Sequence, residues 1–145
     1  MIGRLEAIAI APKKRGVMQE TMCAEVTVPK GITGDARGHF PGRQVTLLFQ
    51  HDWQAACADL GKALPWTTRR ANLLVSGMDV PADVGAKLAI GEVVLQVTEE
   101  TAPCNLMEKA EAGLKAALKP GWRGGVCCKV LSGGTITTGD SVRRV

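Results

Sequence analysis

Cys104 is the residue best placed for chemistry. It stands in Thr-Ala-Pro-Cys-Asn-Leu-Met-Glu, residues 101–108, where an alternating strand pattern stops and a helical one begins. Pro103 ends the strand, and Asn105 is read as the helix N-cap. A thiol at such a junction lies near unpaired backbone N–H groups and the positive end of a helix dipole, and both favour the thiolate. The thiolate is the form that attacks, carries sulfur or binds a soft metal. The competing reading is a small buried hydrophobe that happens to lie at a junction.

A second stretch with chemical potential is Gly31-Ile32-Thr33-Gly34-Asp35-Ala36-Arg37-Gly38-His39. It sets an acid, a cation and an imidazole within five positions, on a backbone whose glycines let N–H groups approach an anion. It is neither a P-loop, because no Gly-Lys-Ser/Thr follows, nor a dinucleotide fingerprint. Asp35 is equally at home in a turn, bonding local backbone N–H groups. His39 is one of only two histidines and could serve as acid, base or ligand. Arg43, Arg69, Arg70 and Arg123 each start an apparent strand or sit next to glycines. Strand ends of a small barrel can converge on one mouth, and arginines gathered there suit a phosphate or a polyanionic cofactor.

The whole chain bounds these readings. Its 145 residues are the size of one domain. A hydrophobic fraction of 46% with 17 glycines indicates a turn-rich globule with a real core rather than a disordered tail. The net charge of +4 is spread over short basic pairs, and there are only two Phe, three Trp and no Tyr. That combination argues against a nucleic-acid surface, which needs a basic stripe and stacking rings. The five cysteines include no Cys-x-x-Cys, and adjacent Cys127 and Cys128 point to opposite faces of a strand, so no zinc site is expected. Arg4 and Glu6 interrupt any signal-peptide core, and no apolar run is long enough to span a membrane. The expected setting is soluble and cytoplasmic, with reduced thiols.

The elements that must position the candidates follow from periodicity. Strands are expected over 3–12, 20–28, 44–50, 71–76, 87–90 and 93–99, and Met22, Ala24, Val26 and Val28 share one face of the second. Residues 29–43 form a long glycine-bearing loop, of the kind that is usually functional or mobile. A helix is expected over 51–60, with Trp53, Ala56, Cys57 and Leu60 on one stripe and Gly61 as its C-cap. A second helical stripe runs from Leu106 to Leu118, weakened at Gly113. Residues 126–131 and 135–137, joined by Gly133-Gly134, are expected to form a hairpin, with a last strand over 142–145. Short strands with tight glycine turns favour a closed or nearly closed barrel, since closure removes exposed edges. The strands do not alternate regularly with helices, so a doubly wound parallel sheet is not expected.

Taken in order, several stretches resemble the MOSC domain, the module at the C-terminal end of molybdenum-cofactor sulfurases. They are residues 31–39, Arg43-Gln44-Val45, Arg69-Arg70-Ala71-Asn72-Leu73-Leu74-Val75-Ser76-Gly77, residues 85–91, Pro103-Cys104, and Gly133-Gly134 through Gly139-Asp140-Ser-Val. The resemblance spans nearly the whole chain and implies a single MOSC domain over 1–145. It implies a mainly β fold, a barrel like that of pyruvate kinase, with two or so short α-helices. It also implies one key thiol, mapping onto Cys104, that carries sulfane sulfur as a persulfide or ligates the molybdenum of a bound pterin cofactor. Asp35, His39, Arg43, Arg69, Arg70, Asn72 and Arg123 would then line the pocket and bind that cofactor.

The chain differs from its larger relatives in having neither the partner β-domain of amidoxime reducers nor a pyridoxal-phosphate domain, and Arg37 does not directly follow Asp35. Three readings come from the resemblance. The first is a sulfur carrier or molybdenum-cofactor handler, loaded by a donor of the cysteine-desulfurase type. The second is a molybdenum-dependent reductase of N-hydroxylated compounds, working with a molybdoenzyme or electron-transfer partner. The third is a non-catalytic assembly domain. Whether the chain is an enzyme differs among the three.

Overall fold

The structure, a computed structural model, describes residues 2–145. Among the described residues, eleven strands and three short α-helices follow one another. The strands are β1 (Ile2–Ile10), β2 (Gln19–Thr21), β3 (Cys23–Thr27), β4 (Gly31–Ile32), β5 (Val45–Phe49), β6 (Leu73–Ser76), β7 (Lys87–Ile90), β8 (Val93–Glu100), β9 (Val126–Ser132), β10 (Gly134–Thr137) and β11 (Ser141–Arg144). The helices are α1 (Gln50–Leu60), α2 (Asn105–Ala110) and α3 (Leu114–Ala117).

Seven of the strands close a barrel in the order β1-β6-β5-β9-β8-β7-β11 and back to β1. Every pairing in that circuit is antiparallel except β5 with β6. The parallel pair needs a crossover, and α1 with the segment after it supplies one. Closure rests on β1, whose other edge is shared: β11 pairs with Ile2 to Arg4 and β2 with Ile8 to Ile10. The expected mainly β, barrel-type fold is therefore present, fully closed.

Two cores lie on either side of the β5–β6 wall. Leu47, Phe49, Leu73 and Val75 point into the barrel. Their neighbours Leu48 and Leu74 point outward and pack against Trp53, Cys57, Met107, Leu114 and Leu118 of the helical layer. Strands covered on both faces read as unbroken apolar runs, which is why Val-Thr-Leu-Leu-Phe and Leu-Leu-Val show no clean alternation. Burying one such leucine contributes about 1.5–3 kcal/mol.

Four sequence expectations change. The strand expected over 20–28 breaks at Met22. Its first part pairs with β1 and its second with β10, so Met22 and Val28 are exposed and only Val26 of the expected face is buried. The hairpin expected at Gly133-Gly134 does not form. Residues 134–137 leave β9 and pair with β3 in a separate three-stranded sheet, β10-β3-β4. That sheet adds Val26, Ile32 and Ile136 to the barrel core. Burying those three side chains rewards the long-range pairing more than a local turn would. The helix expected from Leu106 to Leu118 is two helices, because Gly113 sits between them at φ 88°. Its N-cap is Cys104, not Asn105.

Candidate functional site

Four segments far apart in sequence meet on the outer face of the barrel, beneath α2. They are the start of β5 (Thr46), the turn entering β6 (Arg69 to Asn72), the stretch from β8 into α2 (Thr101 to Met107), and Gly124 before β9. Together with Lys14, Arg15, Arg37, Phe40 and Arg43 they enclose a cavity of about 330 Å³. Cys104 opens to it and is exposed. Six of the lining side chains are cationic, and none is Asp or Glu.

Arg69 is the most constrained of the six. Only 7% of it is exposed. Its Nε donates to the Gly124 carbonyl (3.1 Å) and its Nη2 to the Thr101 carbonyl (2.7 Å), which ties the guanidinium to both segments flanking Cys104. Nη1 has no hydrogen-bond partner, and no carboxylate forms an ion pair with Arg69, among the described residues. Burial lowers its pKa below the usual arginine value; of the groups that oppose this, the Cys104 thiol stands first and Cys127 second. A guanidinium this buried normally has a counter-ion in contact; this one lines the cavity, with Glu100 acting on it only through its charge. Gly124 makes the arrangement possible, since a Cβ there would run into the Thr101 carbonyl oxygen and press on Nη2 of Arg69.

Arg43 is more exposed and pairs with Glu99 through its Nε (3.2 Å). Its pKa is raised, first by the buried Cys127 thiol beside it, with Glu99 and Cys104 adding their charge. Cys127 lies under the floor of the site, its Sγ 3.2 Å from Thr101 Oγ1. Cys128, one residue on, faces the barrel core, where burial pushes its thiol pKa far up. The opposite orientation expected of these adjacent cysteines is present, and it puts only Cys127 beside the site.

Beneath the cavity lies a polar hub. The Asp35 carboxylate is 1% exposed. It accepts from the Arg37 amide (2.8 Å), forks with Nε and Nη2 of Arg37 (3.1 and 2.9 Å), and accepts from Asn72 Nδ2 (2.7 Å) and the Ala11 amide (3.2 Å). Burial acts to raise its pKa, but the Arg37 hydrogen bonds and charge, helped by the Ala11 amide, outweigh it and hold the carboxyl below its ordinary value. Arg37 then donates from Nη1 to the Arg70 carbonyl (2.8 Å), and Arg70 donates to the Gly16 carbonyl (2.7 Å). Arg70 adopts a left-handed backbone, φ 64°, unusual for a side chain of its size and held here by these contacts.

The sequence-nominated residues therefore divide. Cys104, Arg43, Arg69, Arg70 and Asn72 line one cavity. Asn72 has its amide capacity used by the fold: Nδ2 donates to Ala9 and Asp35, and Oδ1 accepts from the Thr46 amide and hydroxyl. Asp35 supports the cavity from behind without lining it. Its turn reading holds as well, since it bonds the Arg37 amide two residues on. His39 lies outside: it is exposed and stacks on Phe40, whose ring forms the wall (centroids 4.9 Å apart). Arg123 is also outside and ties two helices, donating to Asp59 (2.6 Å) and the Ala117 carbonyl (3.0 Å). Arg37, the cation of the 31–39 stretch, lines the cavity as well, and so do Lys14, Arg15, Phe40, Thr101, Leu106 and Gly124, which are not among the candidate site residues of the sequence. For Gly124 a signal was present, as glycines followed the singled-out Arg123. For Lys14 and Arg15 the pattern offers a polar turn, in a short basic cluster that could also neutralise a phosphate-bearing small ligand. Among the described residues no group of three His, Cys, Asp or Glu side chains is gathered to hold a metal, and no helix is long and apolar enough to cross a membrane.

A closed seven-stranded barrel carrying an exposed thiol at a helix start, in an arginine-lined cavity, defines a thiol-bearing β-barrel module. The family model of the MOSC domain matches residues 35–143, and the chain belongs to that family. Its fold is similar to solved structures: YuaD from Bacillus subtilis (TM-score 0.84, 19% identity, 98% of this chain and 94% of that one), YiiM from Geobacillus stearothermophilus (0.79, 15%, 99% and 75%) and YiiM from Escherichia coli (0.73, 14%, 98% and 69%). No curated protein sequence matches the chain significantly.

Proposed function

We propose that this MOSC-domain protein is a sulfur carrier, in which Cys104 accepts sulfane sulfur as a persulfide and passes it on. The observation that carries the reading is Arg69: a buried guanidinium without an ion pair among the described residues, lining the cavity that Cys104 shares. A persulfide at Cys104 is an anion formed where that counter-charge is missing. The exposure of Cys104 suits a carrier that meets both a donor and an acceptor. A donor of the cysteine-desulfurase type, in a reducing cytoplasm, fits this role. The test is persulfide trapping after exposure to such a donor, with peptide mapping. The expected result is one added sulfur on Cys104 and none after Cys104→Ser. Sulfur on Cys23 instead, the other exposed thiol, would overturn the assignment.

A second reading is favoured by the apolar residues that line the same cavity. Phe40, Leu106, Met107 and Ala71 line it together with the cations, a combination that suits a flat heterocycle with a phosphate tail. Molybdenum cofactor has that chemistry. Cys104 would ligate the metal, Phe40 and Leu106 would flank the pterin, and Arg43, Arg69 and Arg70 would meet the phosphate. A bound molybdenum centre would supply two-electron redox chemistry, with electrons from a separate protein. Metal and pterin analysis of protein from a molybdate-fed host tests this reading; stoichiometric molybdenum that is lost in Cys104→Ser would favour it over the carrier.

A further inference from the structure

We infer that the cavity is built for a small anionic sulfur donor whose sulfane sulfur is bonded to an oxidised, sulfonate-type group, with thiosulfate the simplest member. This rests on the sulfur-carrier reading and names the substrate class of that site.

The argument begins with the number and placement of the cations. A persulfide delivered by another protein leaves a single thiolate behind, and that thiolate departs with the donor. One cationic neighbour would serve it. Here six cationic side chains line a cavity of about 330 Å³, the size of a small-molecule site; Arg37 and Arg43 are paired with Asp35 and Glu99, which leaves Lys14, Arg15, Arg69 and Arg70 without an ion pair among the described residues. Two of the cations, Arg69 and Arg43, are electrostatic neighbours of Cys104 itself. Guanidinium forks match the paired oxygens of a sulfonate as they match a carboxylate. Arg69 lines the cavity and cannot turn away, since Nε and Nη2 are held by Gly124 and Thr101, and its Nη1 has no protein partner among the described residues. A donor group held rigidly before the reaction, where a leaving group will gain charge, is the arrangement that stabilises a transition state without reorganisation.

The step balances without an added oxidant or reductant. The Cys104 thiol loses its proton to solvent, to which it is exposed. Its sulfur attacks the outer sulfur of thiosulfate and forms a new S–S bond. The donor's S–S bond breaks, and its electron pair leaves on sulfite. Charge on the sulfite oxygens grows during the step, next to Nη1 of Arg69 and the guanidinium of Arg43. The product is the Cys104 persulfide anion, which keeps the same two counter-charges after sulfite departs.

The experiment incubates the full chain with thiosulfate and, separately, with a simple alkyl persulfide, which has no sulfonate-type leaving group. It reads added sulfur on the Cys104 peptide in both arms and released sulfite in the first. The expected result is loading from both donors, with one sulfite per sulfur loaded from thiosulfate. Inorganic sulfate should inhibit loading from thiosulfate and leave the alkyl persulfide arm unaffected. Arg69→Gln should slow the thiosulfate arm about a hundredfold, the scale of removing one preorganised oxyanion donor, and slow the other arm much less. Arg43→Gln, at a more exposed position, should bias the two arms in the same direction and provides the test if Arg69→Gln fails to fold. Loading from the alkyl persulfide but not from thiosulfate would overturn this inference and leave the carrier reading standing. Equal slowing of both arms by the arginine substitutions, or no competition by sulfate, would also overturn it. Loading from neither donor would remove the carrier reading itself.

Discussion

Cys104 and Cys57 are the same residue type in opposite circumstances, and this makes them a matched test. Cys104 is exposed at the mouth of the cavity, whereas Cys57 is buried against Trp53, Leu114 and Leu118. Cys104→Ser is expected to change stability by less than about 1 kcal/mol, the scale of ordinary surface substitutions. Cys57→Ser puts a hydroxyl into an apolar layer and should cost about 1–3 kcal/mol if it finds no partner. Chemical denaturation of the two variants checks both values; a reversed order would make Cys104 a packing residue. The cations around Cys104 also discriminate among reagents. Iodoacetate, an anion, should label Cys104 ahead of Cys23 by a wider margin than neutral iodoacetamide does, and added salt should narrow that margin. Peptide mapping at limiting reagent reads the ratio.

At the scale of elements, the site depends on two devices that join segments. The first is Asp35, which links the end of β1, the 35–39 loop and the entry to β6. Asp35→Asn leaves Arg37 without its counter-charge and should cost about 1–3 kcal/mol near neutral pH. The pH dependence has a definite sign. A carboxyl whose pKa is lowered on folding contributes stability above its unfolded value, and that stability is lost as pH falls through the folded value. The advantage of the wild type over Asp35→Asn should therefore be constant near neutrality and shrink below about pH 4. Thermal melts of both proteins across that range check it. The second device is Gly124. Gly124→Ala drives a methyl into the Thr101 carbonyl and against Arg69, and should cost about 1–3 kcal/mol as overpacking does. Sulfate binding followed by calorimetry should weaken in the same variant, because the guanidinium loses its fixed direction.

At the scale of the molecule, the barrel is closed by the pairing of β1 with β11. β11 pairs with β1 through Ile2↔Arg143, Gly3↔Val142 and Arg4↔Ser141, and with β7 on its other side. Val142 is fully buried in the barrel core. Deleting residues 141–145 removes that side chain and leaves two unpaired strand edges, which are templates for association with other chains. The truncated protein is expected to lose its cooperative thermal transition and to aggregate; a monomer with an unchanged melt would show that closure contributes little. The cavity should fail along with the barrel, since Arg69, Thr101 and Gly124 belong to three separate parts of its wall.

What the sequence determined alone was whatever has a local cause. Helix α1 and its left-handed Gly61 cap, the β7–β8 turn at Gly91-Glu92, the strand-to-helix junction at Cys104 and the break at Gly113 all follow from periodicity and backbone freedom over a few residues. The ordered motifs also pointed to the family and to five of the residues that line the cavity. Only the tertiary structure decided the rest. The pairing of β10 with β3 instead of β9, the split of one expected strand at Met22, and the placing of Lys14, Arg15 and Phe40 in the cavity wall depend on contacts between distant segments. Arg123 and His39 carried the same local signals as Arg69 and Arg70, yet one ties helices together and the other stacks on an outer wall. The physical reason is that a side chain's role is set by which buried surfaces and unsatisfied carbonyls lie within its reach. In a closed barrel, those neighbours come from wherever burial of the strand faces brings the chain back.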